Sequence, residues 1–484
     1  YHELSWDDFH EKADRIYRVA QSYGSGSNAR DYVRPPMPLG PTLVNQYPQF
    51  ERAVRIESRP GVTGRGDERF KERVLAVDST FFELFSFPLR SGDSNQVLRD
   101  PASAVLSAET AERMFGDEDP LGQSVSIRLQ GQEVQVTVEG VTEGLPSNSS
   151  IEFDILITLD RFSQVEQRYA TGDWVGGGQV VTYVELSEGS RPGTVEAQLP
   201  DLARQHLGEE RASRVSFSLQ PLTDVHFLPD HHGSLGSARP LSYLYILAGL
   251  GLLVVVVAGV NFITISLARS SDRYREVGIR KTVGARREQV AGQFWGETFL
   301  TTAIGFVFGA ALATVGLPLF NRLIGKELAL GLMTEPQFML VAGGLLLLIA
   351  LLAGSYPALA LSGHSPIQVF YGLGQPDGNR LVIRGLLVLQ LALGAGLVAG
   401  LLVMNEQVNY LESHDPGFDA EQLIRVDFPS VRDRDAGSRF VDLAGNLPEV
   451  ESTSGVFGRL TGDRAIGSNE VPMTIEGQEL PVQI

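Results

Sequence analysis

The densest chemistry in this chain lies in a run of cations, Arg269, Arg273, Arg275, Arg280, Lys281, Arg286 and Arg287, set against Asp272, Glu276 and Glu288. Guanidinium groups gathered in this way bind carboxylates and phosphates through charge-assisted hydrogen bonds. The run is therefore suited to docking, on an acidic protein face or on lipid headgroups, and not to making or breaking bonds. Glu276 lies four residues before Arg280, the spacing at which two side chains meet on one helix face. A short helix lying along a surface would put Val277, Val283 and Val290 on one side. Gly278 and Gly284 allow close backbone approach or a turn. Taken alone, the run fits equally an anchor that only orients the chain in a membrane.

Other candidates for chemistry are thinner. Asp224, His226, Asp230, His231 and His232 are metal-ligand residue types, but their spacing fits no tight zinc pattern. Asn148-Ser149-Ser150 has the form of a glycosylation acceptor. Glu109, Glu112 and Asp117 form no pair that can be placed in a cleft, and Ser103 and Ser107 lack the setting of an activated nucleophile. The sequence has no cysteine, which excludes disulfides, thiolate metal sites and thiol catalysis within it. It has no G-x-x-x-x-G-K-[ST] string: Gly325-Lys326 is followed by Glu327. ATP phosphates cannot be cradled by that route here, so no cofactor is expected on this chain, and any ATP is expected on a partner subunit or on a part not present in this sequence. A net charge of −18 argues against a nucleic-acid partner, which needs basic faces.

The flanks of the cationic run position it. Leu241 to Ala268 is apolar and carries no charged side chain. That is long enough to cross a bilayer, since about 20 helical residues span the hydrocarbon. Short loops rich in Lys and Arg stay in the cytoplasm, so residues 269–292 lie inside and residues 1–240 outside. Further spans follow at about 294–320, 338–361 and 381–405, and residues 406–484 return outside. Glu297 and Arg384 sit near cytoplasmic ends, where long side chains reach water. No Asp, Glu or His falls at a bilayer midplane, which argues against a proton-coupled carrier. Gly305 with Gly309, and Gly396 with Gly400, have the small-xxx-small spacing of close helix packing. Pro357 is placed to kink the third span or to end it.

Residues 1–240 alternate helix and strand signals, the pattern of an α+β domain. Residues 1–19 predict a short helical lead-in with Phe9, Ile16, Tyr17 and Val19 as apolar positions, and residues 39–57 predict a helix. Residues 75–93 predict a strand, a short aromatic helix and a turn. Residues 104–127 predict strand, helix, Gly-Asp turn and strand, with Ser107 as N-cap. Residues 133–144 alternate as a half-buried strand does. Residues 172–186 predict a Gly-rich loop feeding a strand, 194–210 a helix, and 215–230 a strand leading back to the membrane.

Asn261-Phe262-Ile263, leading to the string from Arg275 to Arg286 (REVGIRKTVGAR), resembles the signature of FtsX-like ABC transporter permeases. FFELFSF…GD, AERMFGDEDPLG, VEGV…PSNSS, Asp224-Val225-His226 and Gly354-Ser355-Tyr356-Pro357-Ala358 resemble the MacB-like branch of that family. The resemblance runs from about Tyr1 to about Leu423. It implies an α-helical membrane domain joined to an α+β extracytoplasmic domain of the MacB periplasmic core type. It implies that 269–292 is the coupling block on an ATPase subunit, carried by Arg273, Arg275, Glu276, Gly278, Ile279, Arg280, Lys281, Gly284, Ala285, Arg286 and Arg287. It implies a duplicated, eight-helix chain whose first span precedes Tyr1 and whose last three spans follow Ile484, with 381–405 opening the second half. The implied activity is mechanotransmission from the bacterial inner membrane: a partner hydrolyses ATP and the extracytoplasmic domain moves, for export, extrusion or lipoprotein release. Further partners would be a periplasmic adaptor or an outer-membrane component, in a dimeric or pseudo-dimeric transporter. Two other readings stay open, a permease that regulates a cell-wall hydrolase or a sensor kinase, and a non-ABC membrane-anchored binding protein.

Overall fold

The computed structural model describes residues 4–24, 30–65, 68–170, 172–175, 177–228, 235, 238–272, 274–324, 336–363, 377–413, 424, 426, 434–448, 450–453, 470–475 and 478–483. The chain divides into two units, residues 1–244 with 424–484, and residues 245–423.

The first unit is built on one 11-stranded sheet. Its strands are β1 (Ile16–Tyr23), β2 (Arg30–Tyr32), β3 (Phe50–Arg65), β4 (Glu68–Val77), β5 (Leu89–Ser91), β6 (Ser103–Leu106), β7 (Ser124–Leu129), β8 (Gln132–Thr142), β9 (Ile155–Thr158), β10 (Val181–Leu186) and β11 (Val215–Pro221). They run in the order β11-β1-β10-β3-β4-β9-β6-β8-β5, with β2 on β1 and β7 joining β3 to β8. Pairing is antiparallel except for β4 with β9 and β6 with β8. The helices are α1 (Leu39–Gln46), α2 (Phe81–Leu84), α3 (Ala108–Phe115), α4 (Leu159–Val165), α5 (Pro192–Glu196), α6 (Leu199–Leu207) and α7 (Glu209–Ala212). Ile155 to Thr158 and Val181 to Leu186 are buried at every position, because those strands are covered on both faces. The aromatic string read from the sequence fills one core: Phe81, Phe85 and Phe87 gather with Phe153 and Tyr183. A second apolar cluster seats α1 and α6 through Leu39, Leu43, Leu199 and Leu202 on Val19 and Val184.

Two local expectations are corrected. Residues 6–15 form turns, and the chain enters β1 at Ile16 in place of a helix. Ile16, Val19 and Ala20 are buried between β10 and β11, so strand pairing overrides the helical spacing of this stretch. Residues 39–57 are helical only to Gln46; Tyr47 is extended and β3 starts at Phe50. Pro48 explains the stop, since it lacks an N–H and pushes the residue before it out of helical conformation. Residues 104–127 fold as read: Ser107 caps α3 by accepting from the Thr110 N–H.

The second unit is helical. It contains α8 (Leu241–Asp272, whose first residues belong to the other unit), α9 (Tyr274–Thr282), α10 (Arg287–Ile324), α11 (Pro336–Gly363) and α12 (Asp377–Ser413). Among the described residues, four stretches are long and apolar enough to cross a membrane: Leu241–Ser266, Arg287–Arg322, Phe338–Ser355 and Ile383–Leu411. The helices outrun the apolar stretches at several ends. Thus α8 continues into the cationic run, and α10 begins at Arg287, seven residues before the apolar segment expected from Phe294. Helix α11 passes Pro357 without ending. Beyond α12, α13 (Arg434–Gly445) and the hairpin of β12 (Glu470–Ile475) with β13 (Gln478–Gln483) belong to the first unit.

Candidate functional site

The cationic run folds as a short helix, a tight turn and the start of a long helix. Helix α9 ends where Gly284 takes a φ of +104°, a left-handed setting that a side chain would strain. The Ala285 N–H donates to the Arg280 carbonyl at 3.0 Å, and the Gly284 N–H to Lys281 at 3.1 Å. These bonds satisfy carbonyls that the end of α9 would otherwise leave open. Helix α10 is capped in return: the Gln289 side chain accepts from the Arg286 N–H at 2.9 Å. Across the turn, Val277 and Val290 are buried against each other, with Ala285 and Phe294 packed beside them.

Polar side chains close the same corner. Glu276 pairs with Arg280 at 2.6 Å, as the spacing implied. Arg280 also donates to the Gln293 side-chain oxygen, and the Gln293 amide donates to Glu297 at 2.9 Å. Partial burial, helped by the nearby Arg287 charge, holds the Lys281 pKa below its ordinary value. Val283 does not join Val277 and Val290. It lies just before the left-handed turn and is 84% exposed, and Ile279 is 55% exposed. The physical reason is the turn itself, which ends the helical register one residue before Val283 could face α10.

Arg275 and Gly278 lie on α9, Arg286 sits in the turn and Arg287 opens α10; Arg273 lies outside the described residues. At Gly305, Gly309, Gly396 and Gly400 a built Cβ meets nothing within 4 Å among the described residues. The close approach is at Gly354 on α11, where a Cβ would lie 2.6 Å from Trp295 Cδ1 and 3.4 Å from Thr298 Oγ1 on α10. Ala350 and Ala353 are buried beside it. A methyl or a hydrogen at these three positions is what lets the two helices close.

The MacB-like periplasmic core domain description matches residues 5–202, and the FtsX-like permease C-terminal description matches residues 248–366. The chain belongs to the FtsX-like, MacB-like ABC transporter permeases. The macrolide export ATP-binding/permease protein MacB of Bdellovibrio bacteriovorus is 27% identical to it over 64% of this chain and 46% of that protein. The uncharacterized ABC transporter permease YknZ of Bacillus subtilis is 24% identical over 62% of this chain and 70% of that protein. The permease thus spans less than half the length of the MacB relative. The periplasmic region of MacB from Actinobacillus actinomycetemcomitans is 16% identical, covers 44% of this chain and 90% of its own, and superposes with a TM-score of 0.31.

The permease's other sequence candidates have structural work. His226 is buried and stacks on Trp6, and its carbonyl accepts from the Arg239 N–H at 2.8 Å. Asp230, His231 and His232 lie outside the described residues, and no metal-binding group of three or more His, Cys, Asp or Glu occurs among the described ones. Asn148 and Ser150 tie the lead-in down, Asn148 donating to Ser5 and Ser150 to the Asp7 carboxylate. A cavity of about 410 Å³ opens between α1 and α4, lined by Met37, Pro41, Arg55, Asp160 and Tyr169. The Arg55 guanidinium there is already engaged by Asp78 at 2.7 Å. Sequence reasoning missed Gln289, Gln293, Trp295 and Gly354. An amide three or seven residues into a helix after a Gly turn was the available signal for the first two.

Proposed function

We propose that this chain is the membrane subunit of an ABC transporter in the bacterial inner membrane, driven by an ATPase on another subunit or on a part of the protein outside this sequence. Helix α9 is the docking element. The observation that carries this reading is the pairing of Ile279 and Val283, two exposed apolar side chains at the C-terminal end of α9 and in the turn after it, with the exposed Glu276–Arg280 pair. An apolar centre with a charged rim suits a protein partner better than water. A relative named as a macrolide export ATP-binding/permease protein supports the same arrangement.

In this reading nucleotide binding moves α9, the membrane helices shift, and the N-terminal unit does work outside the membrane in export, extrusion or lipoprotein release. A periplasmic adaptor or outer-membrane component would receive that work, and a dimer or pseudo-dimer would supply two docking elements. Purification of the full-length protein from native membranes tests the docking role. The ATPase is expected to accompany the wild type and to be lost from the Arg275→Glu/Arg280→Glu variant. Equal recovery of the ATPase with both proteins would remove α9 as its docking site.

A further inference from the structure

We propose that Gln293 and Glu297 are positioning residues that fix α9 to the α10–α11 hairpin, so that a displacement of α9 is delivered to that hairpin. The proposal rests on the docking role given to α9 above. Three attachments converge on one corner. The backbone turn at Gly284 fixes the distance between α9 and α10. Val277, Val290 and Phe294 form a small apolar hinge pin. The chain Glu276–Arg280–Gln293–Glu297 then fixes rotation about that pin.

Gln293 suits this position because both ends of its amide are used. The oxygen accepts from Arg280 and the nitrogen donates to Glu297. An amide bound at both ends cannot turn over without breaking both bonds. The next residues on α10 continue the linkage. Val290, Gln293, Phe294 and Glu297 serve the α9 side, while Trp295 and Thr298 meet Gly354 on α11. The stretch of α10 from Val290 to Thr298, little more than two turns, therefore holds α9 on one face and α11 on another. Buried Ala350 and Ala353 leave little slack on the α11 side.

Hydrogen exchange on the full-length permease in lipid nanodiscs tests the attachment without any partner. In Gln293→Ala, amides of 276–285 are expected to exchange about fivefold faster or more, with the N-terminal unit unchanged. The double variant Q293E/E297Q restores the chain with its polarity reversed, a carboxylate accepting from Arg280 and an amide donating back to it. It is expected to return the wild-type rate. Unchanged exchange in Gln293→Ala, or a double variant as fast as the single one, overturns the attachment. Transmission is read in a second arm, with the ATPase bound and ATP plus vanadate added. In Gln293→Ala the nucleotide-dependent change at 276–285 is expected to persist while that at 295–300 and 350–355 disappears. A hairpin response that survives in Gln293→Ala overturns the transmission. No nucleotide response at 276–285 in the wild type overturns the docking role itself, and the attachment is then judged on the first arm alone.

Discussion

Trp6 and His226 stack with ring centroids 3.7 Å apart and 5° between their planes. Trp6 belongs to the lead-in that enters the sheet, and His226 to the segment that leaves it for α8. The stack therefore joins the entry and the exit of the N-terminal unit, and Arg239, bonded to the His226 carbonyl, extends the junction toward Pro240. In a protein that moves this unit, force would enter through such a junction.

Trp6→Ala should remove both the buried ring and the stack. Loss of a buried Trp costs about 3–5 kcal/mol in a well-packed core. The N-terminal unit is expected to unfold at lower temperature, followed by near-UV circular dichroism, while Trp6→Phe should retain much of the packing. Equal melting of wild type and Trp6→Ala would contradict the account of the junction.

Asp7 and His10, in the same lead-in, should give opposing pH dependences. Burial, partly offset by the bonds from Ser150, raises the Asp7 pKa from 3.8 to about 6. The folded state then binds the proton more tightly than the unfolded state, so Asp7 disfavours folding progressively as pH rises from about 4 to 6. Burial lowers His10 from 6.5 to about 3, and its Nδ1 accepts from the Ser86 N–H at 3.0 Å. Its stability is present above pH 6.5 and is lost as pH falls toward 3. The difference isolates each group: stability of the wild type minus that of Asp7→Asn should fall by on the order of 3 kcal/mol between pH 4 and 7. A difference independent of pH in denaturant titrations would show that Asp7 titrates normally.

Much of the fold was legible in the sequence, and the failures share a cause. The Ser107 cap, the aromatic helix at Phe81 and the alternation of β8 depend on neighbours in sequence, and those patterns survive into the structure. The stretch at Ile16 depends on neighbours in space, because β10 and β11 pair with it from about 165 and 200 residues away. The cationic turn was legible as charge and glycine spacing. Its anchorage was not, since Gln293 and Glu297 gain meaning only once the turn at Gly284 folds α9 back beside α10. Val283 was misplaced for the same reason. The glycine pairs on α10 and α12 matched a packing pattern, yet the approach occurs at Gly354, whose small partner four residues earlier is Ala350 and not a second glycine.

Gly354→Leu should open the α10–α11 contact. A Cβ alone already comes within 2.6 Å of Trp295, so Trp295 must swing away. Overpacking of this kind costs about 1–3 kcal/mol. With Trp6 and Trp174 replaced by Phe, Trp295 is the one remaining tryptophan of this sequence and reports the change directly. Its emission is expected to shift in Gly354→Leu and to stay put in Gly305→Leu, where a side chain meets open space. Matching spectra for the two variants would contradict the close approach at Gly354.

Gly284→Val should disrupt the turn between α9 and α10 without touching the exposed face of α9. A β-branched residue at a φ of +104° is strained by more than about 1 kcal/mol. The turn is expected to loosen, with faster amide exchange at 280–285, while the melting of the N-terminal unit is unchanged. Wild-type exchange at 280–285 would mean that the turn does not depend on glycine.

The central claim, that α9 docks on an ATPase, is tested most directly by photo-crosslinking from its exposed apolar tip. The sequence contains no cysteine, so Val283→Cys offers one labelling site on it for a thiol-reactive benzophenone. Illumination of native membranes, followed by mass spectrometry of the adduct, identifies what lies against α9. The account expects an ABC ATPase, with the yield reduced by the Arg275→Glu/Arg280→Glu change. Adducts with lipid alone, in membranes where the ATPase is present and the permease is folded, would contradict it and leave the cationic run as an anchor.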